Sequence, residues 1–191
     1  MLVIDYLNSI GLHKAEGGSE AFQTQWFSDW FASHPEVTQV LEIGFNTGCW
    51  SECVLKSRPD IWVTSVDIGN HPYIVPAHEF LQKTYGRHEL VLGDSTKTIP
   101  KINKKYDAVF IDGGHFTPVP YKDIINCKAL SHPNTTLFID DFDNFYGREV
   151  FPDFQKAERE GHIEPGWTVT RQCELTEDFY KPCWFVGKYH F

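Results

Sequence analysis

The stretch Val40-Leu-Glu-Ile-Gly-Phe-Asn-Thr-Gly48 constrains this chain more than any other, because a short apolar run there meets a glycine turn and then a helix-like segment. Such a run, bounded by a turn, is a buried parallel strand. Gly44 and Gly48 allow a sharp turn and let a ligand approach the backbone without a Cβ in the way. The helix after Gly48 offers unpaired N–H groups to a carboxylate or phosphate. A dinucleotide fingerprint needs G-x-G-x-x-G, whereas here Asn46 takes the place of the second glycine and only one glycine follows. The turn therefore points away from NAD. Glycine turns also serve purely structural ends.

From residue 36 onward, strand-like and helix-like segments alternate. Strands fall at 38–43, 61–67, 89–92, 106–111 and 135–140. Helices fall at 48–57, 76–85, 96–102 and 119–130. This alternation predicts an α/β fold with a doubly wound, mostly parallel sheet and helices on both faces. After a helical stretch at 148–160, Trp167-Thr-Val-Thr-Arg and Cys183-Trp-Phe-Val-Gly-Lys-Tyr are two further strands with no room for a full helix between them. They should pair antiparallel at the sheet edge and bring the count to seven. Before the first strand, Ser19 is placed to cap a helix carrying Phe22, Trp26, Phe27, Trp30 and Phe31 at helical spacing. That helix is either a lid over a ligand or an amphipathic helix packed on the sheet. The expected organisation is one domain over 1–191, with a helical segment at 1–35, a ligand-binding core at 36–141 and an acceptor-side segment with the strand pair at 142–191.

Composition narrows the partners. With 191 residues, 41% hydrophobic and 23% charged, the chain can bury a sizeable core. A net charge of −9 and the lack of Lys/Arg clusters disfavour nucleic acid. No stretch approaches a membrane span, and Met1-Leu-Val-Ile-Asp lacks the basic start and long apolar core of a signal peptide. A cytoplasmic protein acting on a small molecule is expected, with the assembly state open and a homo-oligomer compatible. Cys49, Cys53, Cys127, Cys173 and Cys183 are scattered without a C-x-x-C pair, so neither a disulfide framework nor a zinc knot is indicated.

Ligands of doubly wound folds gather at the carboxyl ends of the strands, and acids stand at nearly all of them here. They are Glu42, Asp67, Asp94 followed by Ser95, Asp112, and Asp140-Asp141. With Glu42 the glycine turn has the form E-x-G-x-x-x-G, which fits S-adenosylmethionine, a ligand with a free carboxylate and a sulfonium but no pyrophosphate. Asp67 lies 23 residues after Gly44, where a nucleoside site places the carboxylate for ribose hydroxyls. Asp94 and Ser95 suit the adenine edge, although a Gly-Asp-Ser turn also caps short helices. Asp112, Asp140 and Asp141 would repel one another unless a cation lay between them. All-oxygen ligands favour Mg²⁺. Successive strand residues point to opposite faces, so Asp140 and Asp141 reach one ion only if the strand breaks between them, with Asp143 or Asn144 as substitutes.

In this order the motifs E-x-G-x-x-x-G, a strand-end Asp, Gly-Asp-Ser, F-I-D-G-G-H and F-I-D-D resemble class I S-adenosylmethionine-dependent methyltransferases. Within that superfamily the chain is similar to the metal-dependent O-methyltransferases, foremost the branch acting on macrolide and aminocoumarin sugars, with catechol and caffeoyl-CoA enzymes further away. The resemblance covers roughly residues 36 to 141 and implies the Rossmann-like methyltransferase fold. It implies cofactor contacts from Glu42, Gly44, Asn46, Gly48, Asp67, Asp94, Ser95 and Asp112, magnesium ligands at Asp112, Asp140 and Asp141, and a general base at His115. His132-Pro-Asn-Thr departs from the family's Pro-Gly-Gly before the fifth strand.

The expected reaction is methyl transfer to a hydroxyl of a sugar or phenol. A histidine near its ordinary pKa is mostly a free base at neutral pH and suits proton removal, but His115 also reads as a loop residue or a metal ligand. Phe116, Phe142, Phe145, Tyr146 and Trp184 are either an apolar acceptor wall or core aromatics. The rival functions are a non-catalytic S-adenosylmethionine-binding regulator and a metal-independent N-methyltransferase.

Overall fold

The computed structural model describes residues 1–12, 21–142, 149–170 and 183–191. Ser19 as a cap, Asp143 and Asn144 as substitute ligands, Phe145 and Tyr146 as wall residues, and Cys173 lie outside the described residues. Helices α1 (Val3–Ser9) and α2 (Ala21–Ser33) precede the sheet. Strands β1 (Gln39–Ile43), β2 (Trp62–Asp67), β3 (His88–Leu92), β4 (Ala108–Ile111) and β5 (Thr136–Ile139) then follow. Between them lie α3 (Cys49–Ser57), α4 (Ile74–Tyr85), the short α5 (Ser95–Thr98) with a 3-10 turn at Ile99–Lys101, and α6 (Val119–Ala129). Helix α7 (Val150–Arg159) and strands β6 (Trp167–Thr170) and β7 (Cys183–Lys188) complete the described elements.

The sheet order is β3-β2-β1-β4-β5-β7-β6. The first five strands run parallel, and β7 runs antiparallel to both β5 and β6. This is the doubly wound, Rossmann-like sheet with an antiparallel edge that the alternation predicts. Between β1 and β4 the strand order reverses, so the crevice beyond their carboxyl ends is the natural ligand position.

Side-chain alternation divides the core into two layers. Val40, Ala108, Phe110, Phe138, Trp184 and Val186 face one way, against α1 to α4. Leu41, Val109, Ile111, Leu137, Ile139 and Phe185 face the other, against α6 and α7. Because the central strands are covered on both faces, β4 and β5 read as near-continuous apolar runs rather than alternating ones, and β1 does so apart from Gln39 and Glu42.

Helix α2 is part of the core and not a lid. Phe27 is fully buried, with its ring centroid within 5.3 Å of those of Trp50, Phe110, Phe138 and Trp184. Trp26 meets Trp184 edge-on at 5.2 Å. Of the aromatics open to a wall role, Trp184 is therefore core, and Phe142 packs on Phe151, Phe154 and Phe185. Phe116 is 64% exposed. Cys53 and Cys127 are free thiols, and among the described residues no helix is long and apolar enough to cross a membrane.

Candidate active site

The glycine turn sits at the switch point. Gly44 has φ +93°, and its N–H donates to the Val66 carbonyl at 2.8 Å, while the Asp112 N–H donates to the Ile43 carbonyl at 2.8 Å. Asn46 also takes positive φ, 49°. Asp67 holds this conformation. Its Oδ2 accepts from the Phe45 and Asn46 N–H groups at 3.0 Å each, and its Oδ1 accepts from Gly69 N–H at 2.8 Å. The expected ribose carboxylate is thus also the clamp of the turn. Gly48 opens α3 in a left-handed conformation, and a Cβ there would stand 2.7 Å from the Phe45 ring.

A cavity of about 450 Å³ opens over the turn, lined by Gly44, Asn46, Asp67, Asp94, Ser95, Asp112 and His115 among others. That volume lies in the range of small-molecule sites. Asn46 lines the cavity, and its Oδ1 is buried without a hydrogen-bond partner. Asp94 caps α5, accepting from Thr96 N–H at 3.0 Å, and pairs with Lys97 at 2.8 Å. Lys97 and Thr96 hold its carboxyl down at about 2. Asp94 is therefore a helix cap that also lines the cavity.

The acid end of the site differs from expectation. Asp112 on the turn after β4, His115 on the same turn and Asp141 after β5 bring one ligand atom each within 4.8 Å of one another. His115 Nε2 lies 2.9 Å from Asp141 Oδ2 and 3.7 Å from Asp112 Oδ1. Asp140 is not part of this group. Its Oδ2 accepts from Gln23 Nε2 at 2.7 Å and its Oδ1 from Asp141 N–H at 2.9 Å, so both oxygens are committed inside the protein. The strand does break between the two acids, as Asp141 takes φ 52°, and its carboxylate meets His115 while Asp140 faces Gln23 of α2. Burial, with Asp112 and Asp141 nearby, holds the Asp140 carboxyl well above the usual range. The Asp112 and Asp141 carboxylates push His115 up to about 9. The two carboxylates thus favour the charged imidazolium over the free base expected.

A family described as "Methyltransferase domain" matches residues 41–142, more than half of the chain. The chain belongs to that family. No curated protein matches it significantly. Among solved structures, the methyltransferase domain is similar to cofactor-bound Rv0187 from MTB, with a TM-score of 0.74 at 16% identity over 97% of this chain and 87% of that one. An O-methyltransferase from Bacillus cereus in complex with SAH gives a TM-score of 0.72 at 15% identity, covering 97% and 90%. The O-methyltransferase TomG from Streptomyces achromogenes in complex with SAM gives 0.70 at 13%, covering 97% and 86%. At these identities the likeness is one of fold.

Glu42, expected to touch cofactor, does not line the cavity of this methyltransferase domain. It is fully buried beneath the turn, where its Oε2 accepts from Ser51 at 2.6 Å and from Ser65, while Oε1 has no partner. Ser65 continues to His88 Nε2 at 2.9 Å, and His88 Nδ1 meets His78 Nδ1 at 2.8 Å. Strand pleating alone explains the burial, since Glu42 points into the layer between α3 and β2 rather than toward the cleft. Burial pushes its carboxyl from 4.5 up to about 8. The unfolded chain ionises this group first, so its contribution to stability is full below pH 4.5 and falls as pH rises toward 8. Glu42→Gln, which mimics the neutral acid, should melt higher than wild type at pH 8 by an amount equivalent to a few kcal/mol, at about 1.4 kcal/mol per pKa unit. The gap should close by roughly pH 5, and parallel melting curves across that range would contradict the buried, neutral state.

Ile68, His71 and Val119 line the cavity without having been singled out from sequence. Ile68, directly after the strand-end Asp67, is 60% exposed. An apolar residue at that place was the available signal. His71 and Val119 carried none.

Proposed function

We propose that this methyltransferase domain moves a methyl group from S-adenosylmethionine to a hydroxyl oxygen of a small molecule, a sugar or a phenol, with a divalent cation at the acceptor side. The observation that carries the reading is the sharing of one cavity by the glycine turn and two members of the acid–imidazole triad, Asp112 and His115. A donor site and an acceptor site must adjoin for direct transfer. The likeness to O-methyltransferases solved with SAM or SAH supports the cofactor and the oxygen acceptor.

The residues fit both groups. Asn46 offers an unpartnered acceptor, and Gly44 brings the backbone to the cavity floor without a side chain. Asp112, His115 and Asp141 would hold the cation. The donor supplies an activated methyl on a sulfonium, and the cation lowers the pKa of a bound hydroxyl. The chain's own work is alignment. Asp67 fixes the turn, and Glu149 Oε2 accepts from Thr117 N–H at 2.7 Å while its N–H donates to the His115 carbonyl at 2.8 Å, pinning the loop that carries His115.

Calorimetry with S-adenosylhomocysteine, before and after chelation, tests this reading. Binding should persist in excess EDTA, while turnover of a hydroxyl acceptor should fall to background and return with added cation. Full turnover of the hydroxyl acceptor in EDTA would overturn the cation's part in the reaction, and turnover in EDTA on an amine acceptor alone would favour a metal-independent N-methyltransferase. Binding with no turnover on any hydroxyl or amine acceptor, cation present, would favour a regulatory protein.

A further inference from the structure

We infer that His115 is a ligand of the cation and that the cation is a first-row transition ion such as Mn²⁺ or Zn²⁺ rather than Mg²⁺. The inference rests on the proposed cation site and deepens it. Magnesium was expected from an all-oxygen set built on Asp112, Asp140 and Asp141, and the structure replaces one of those oxygens with an imidazole nitrogen.

Three observations converge. Asp140 cannot serve without abandoning Gln23 and the Asp141 N–H. The left-handed backbone at Asp141 delivers its carboxylate to the position the alternation of a regular strand would deny it. His115 Nε2 is buried and makes no aligned hydrogen bond, even though carboxylate oxygens lie 2.9 and 3.7 Å away. A nitrogen paired to a carboxylate would aim its N–H at one oxygen. This one lies between two carboxylates and is aligned with neither.

The spacing also fits. Ligand atoms about 2.1 Å from one ion and 90–109° apart stand about 3.0–3.4 Å from each other, close to the two distances that His115 makes. Imidazole is a borderline ligand that suits transition cations, whereas magnesium prefers oxygen and holds its waters. Two carboxylates and one imidazole leave positions open for an acceptor oxygen or water, as in catalytic rather than closed structural sites. A histidine so engaged is not a free base, so its role is to set which ion is held and how.

The test uses the full chain stripped of metal with a chelator. Mn²⁺ should bind at one site, and pulsed electron paramagnetic resonance should show ¹⁴N modulation from a coordinated imidazole. That modulation should vanish in His115→Ala and His115→Gln. In competition by equilibrium dialysis, Zn²⁺ should displace Mg²⁺ with at least a hundredfold preference, and the preference should shrink by at least tenfold in His115→Gln. Mn²⁺ bound with no nitrogen modulation in wild type, or Mg²⁺ held as tightly as Zn²⁺, would overturn the role of His115 and leave the cation site standing. Failure of every divalent cation to bind, or binding unchanged by both Asp112→Asn and Asp141→Asn, would overturn the site itself and the inference with it.

Discussion

Replacing Gly44 with alanine is expected to destabilise the domain by roughly 4 kcal/mol or more and to abolish binding of S-adenosylhomocysteine. A Cβ at this position would lie 2.0 Å from the Asp112 carbonyl oxygen, 2.7 Å from its carbonyl carbon and 3.2 Å from the Gly113 Cα. All three are backbone atoms, so no rotamer change relieves the overlap. β1 and β4 would have to separate where their ends form the cavity floor. The positive φ adds about 1–2 kcal/mol of its own. At about 2–4 °C per kcal/mol for a chain of this size, the melting temperature should fall by roughly 10 °C. Gly86 supplies the control, since it has φ +69° but nothing within 4 Å of its would-be Cβ. Gly86→Ala should show the conformational strain alone, and a Gly44→Ala protein no less stable than Gly86→Ala would refute the close approach.

The second large effect belongs to Asp67. Asp67→Ala removes the acceptor for three backbone N–H groups, those of Phe45, Asn46 and Gly69, as well as a cavity wall. Hydrogen bonds to a charged group are worth about 1.5–3 kcal/mol, so S-adenosylhomocysteine affinity should fall by about 10- to 150-fold. Asp67→Asn should fall between the variant and wild type. Its amide keeps one acceptor oxygen, but whichever way it turns it opposes an N–H donor with another. Unchanged affinity in Asp67→Ala, measured by titration calorimetry, would show that the turn keeps its shape without the carboxylate.

Much of the fold was legible because period and punctuation agree in this chain. The runs Ala108–Ile111 and Leu137–Ile139 are apolar on both faces, as buried parallel strands are, Val40–Ile43 is so apart from Glu42, and a glycine or acid follows each. The site was legible at the level of strand ends and no finer. Asp67, Asp94, Ser95 and Asp112 line the cavity, yet Glu42 and Asp140 are turned into the protein. Strand pleating decides both cases, and its phase at the last residue depends on where the backbone leaves the sheet. Asp141 leaves it through a left-handed conformation that the adjacent letters Asp-Asp do not encode. Gln23 was invisible for another reason, since its partner Asp140 is 117 residues away. A single sequence carries no signal for so distant a hydrogen bond.

The seam between α2 and β7 also bears on how the protein is made. Phe27 and Trp26 pack on Trp184, and β5, whose end leads into Asp140 and Asp141, has β7 as its outer neighbour. During synthesis from the amino end, β1 to β5 leave the ribosome with the outer edge of β5 bare and the aromatic face of α2 without Trp184. Both gaps close only after residue 188 has emerged. Contacts so far apart in sequence form slowly and leave strand edges exposed meanwhile. The nascent chain should therefore acquire protease resistance late and nearly at once, on release of β7, rather than gradually as each strand and helix appears.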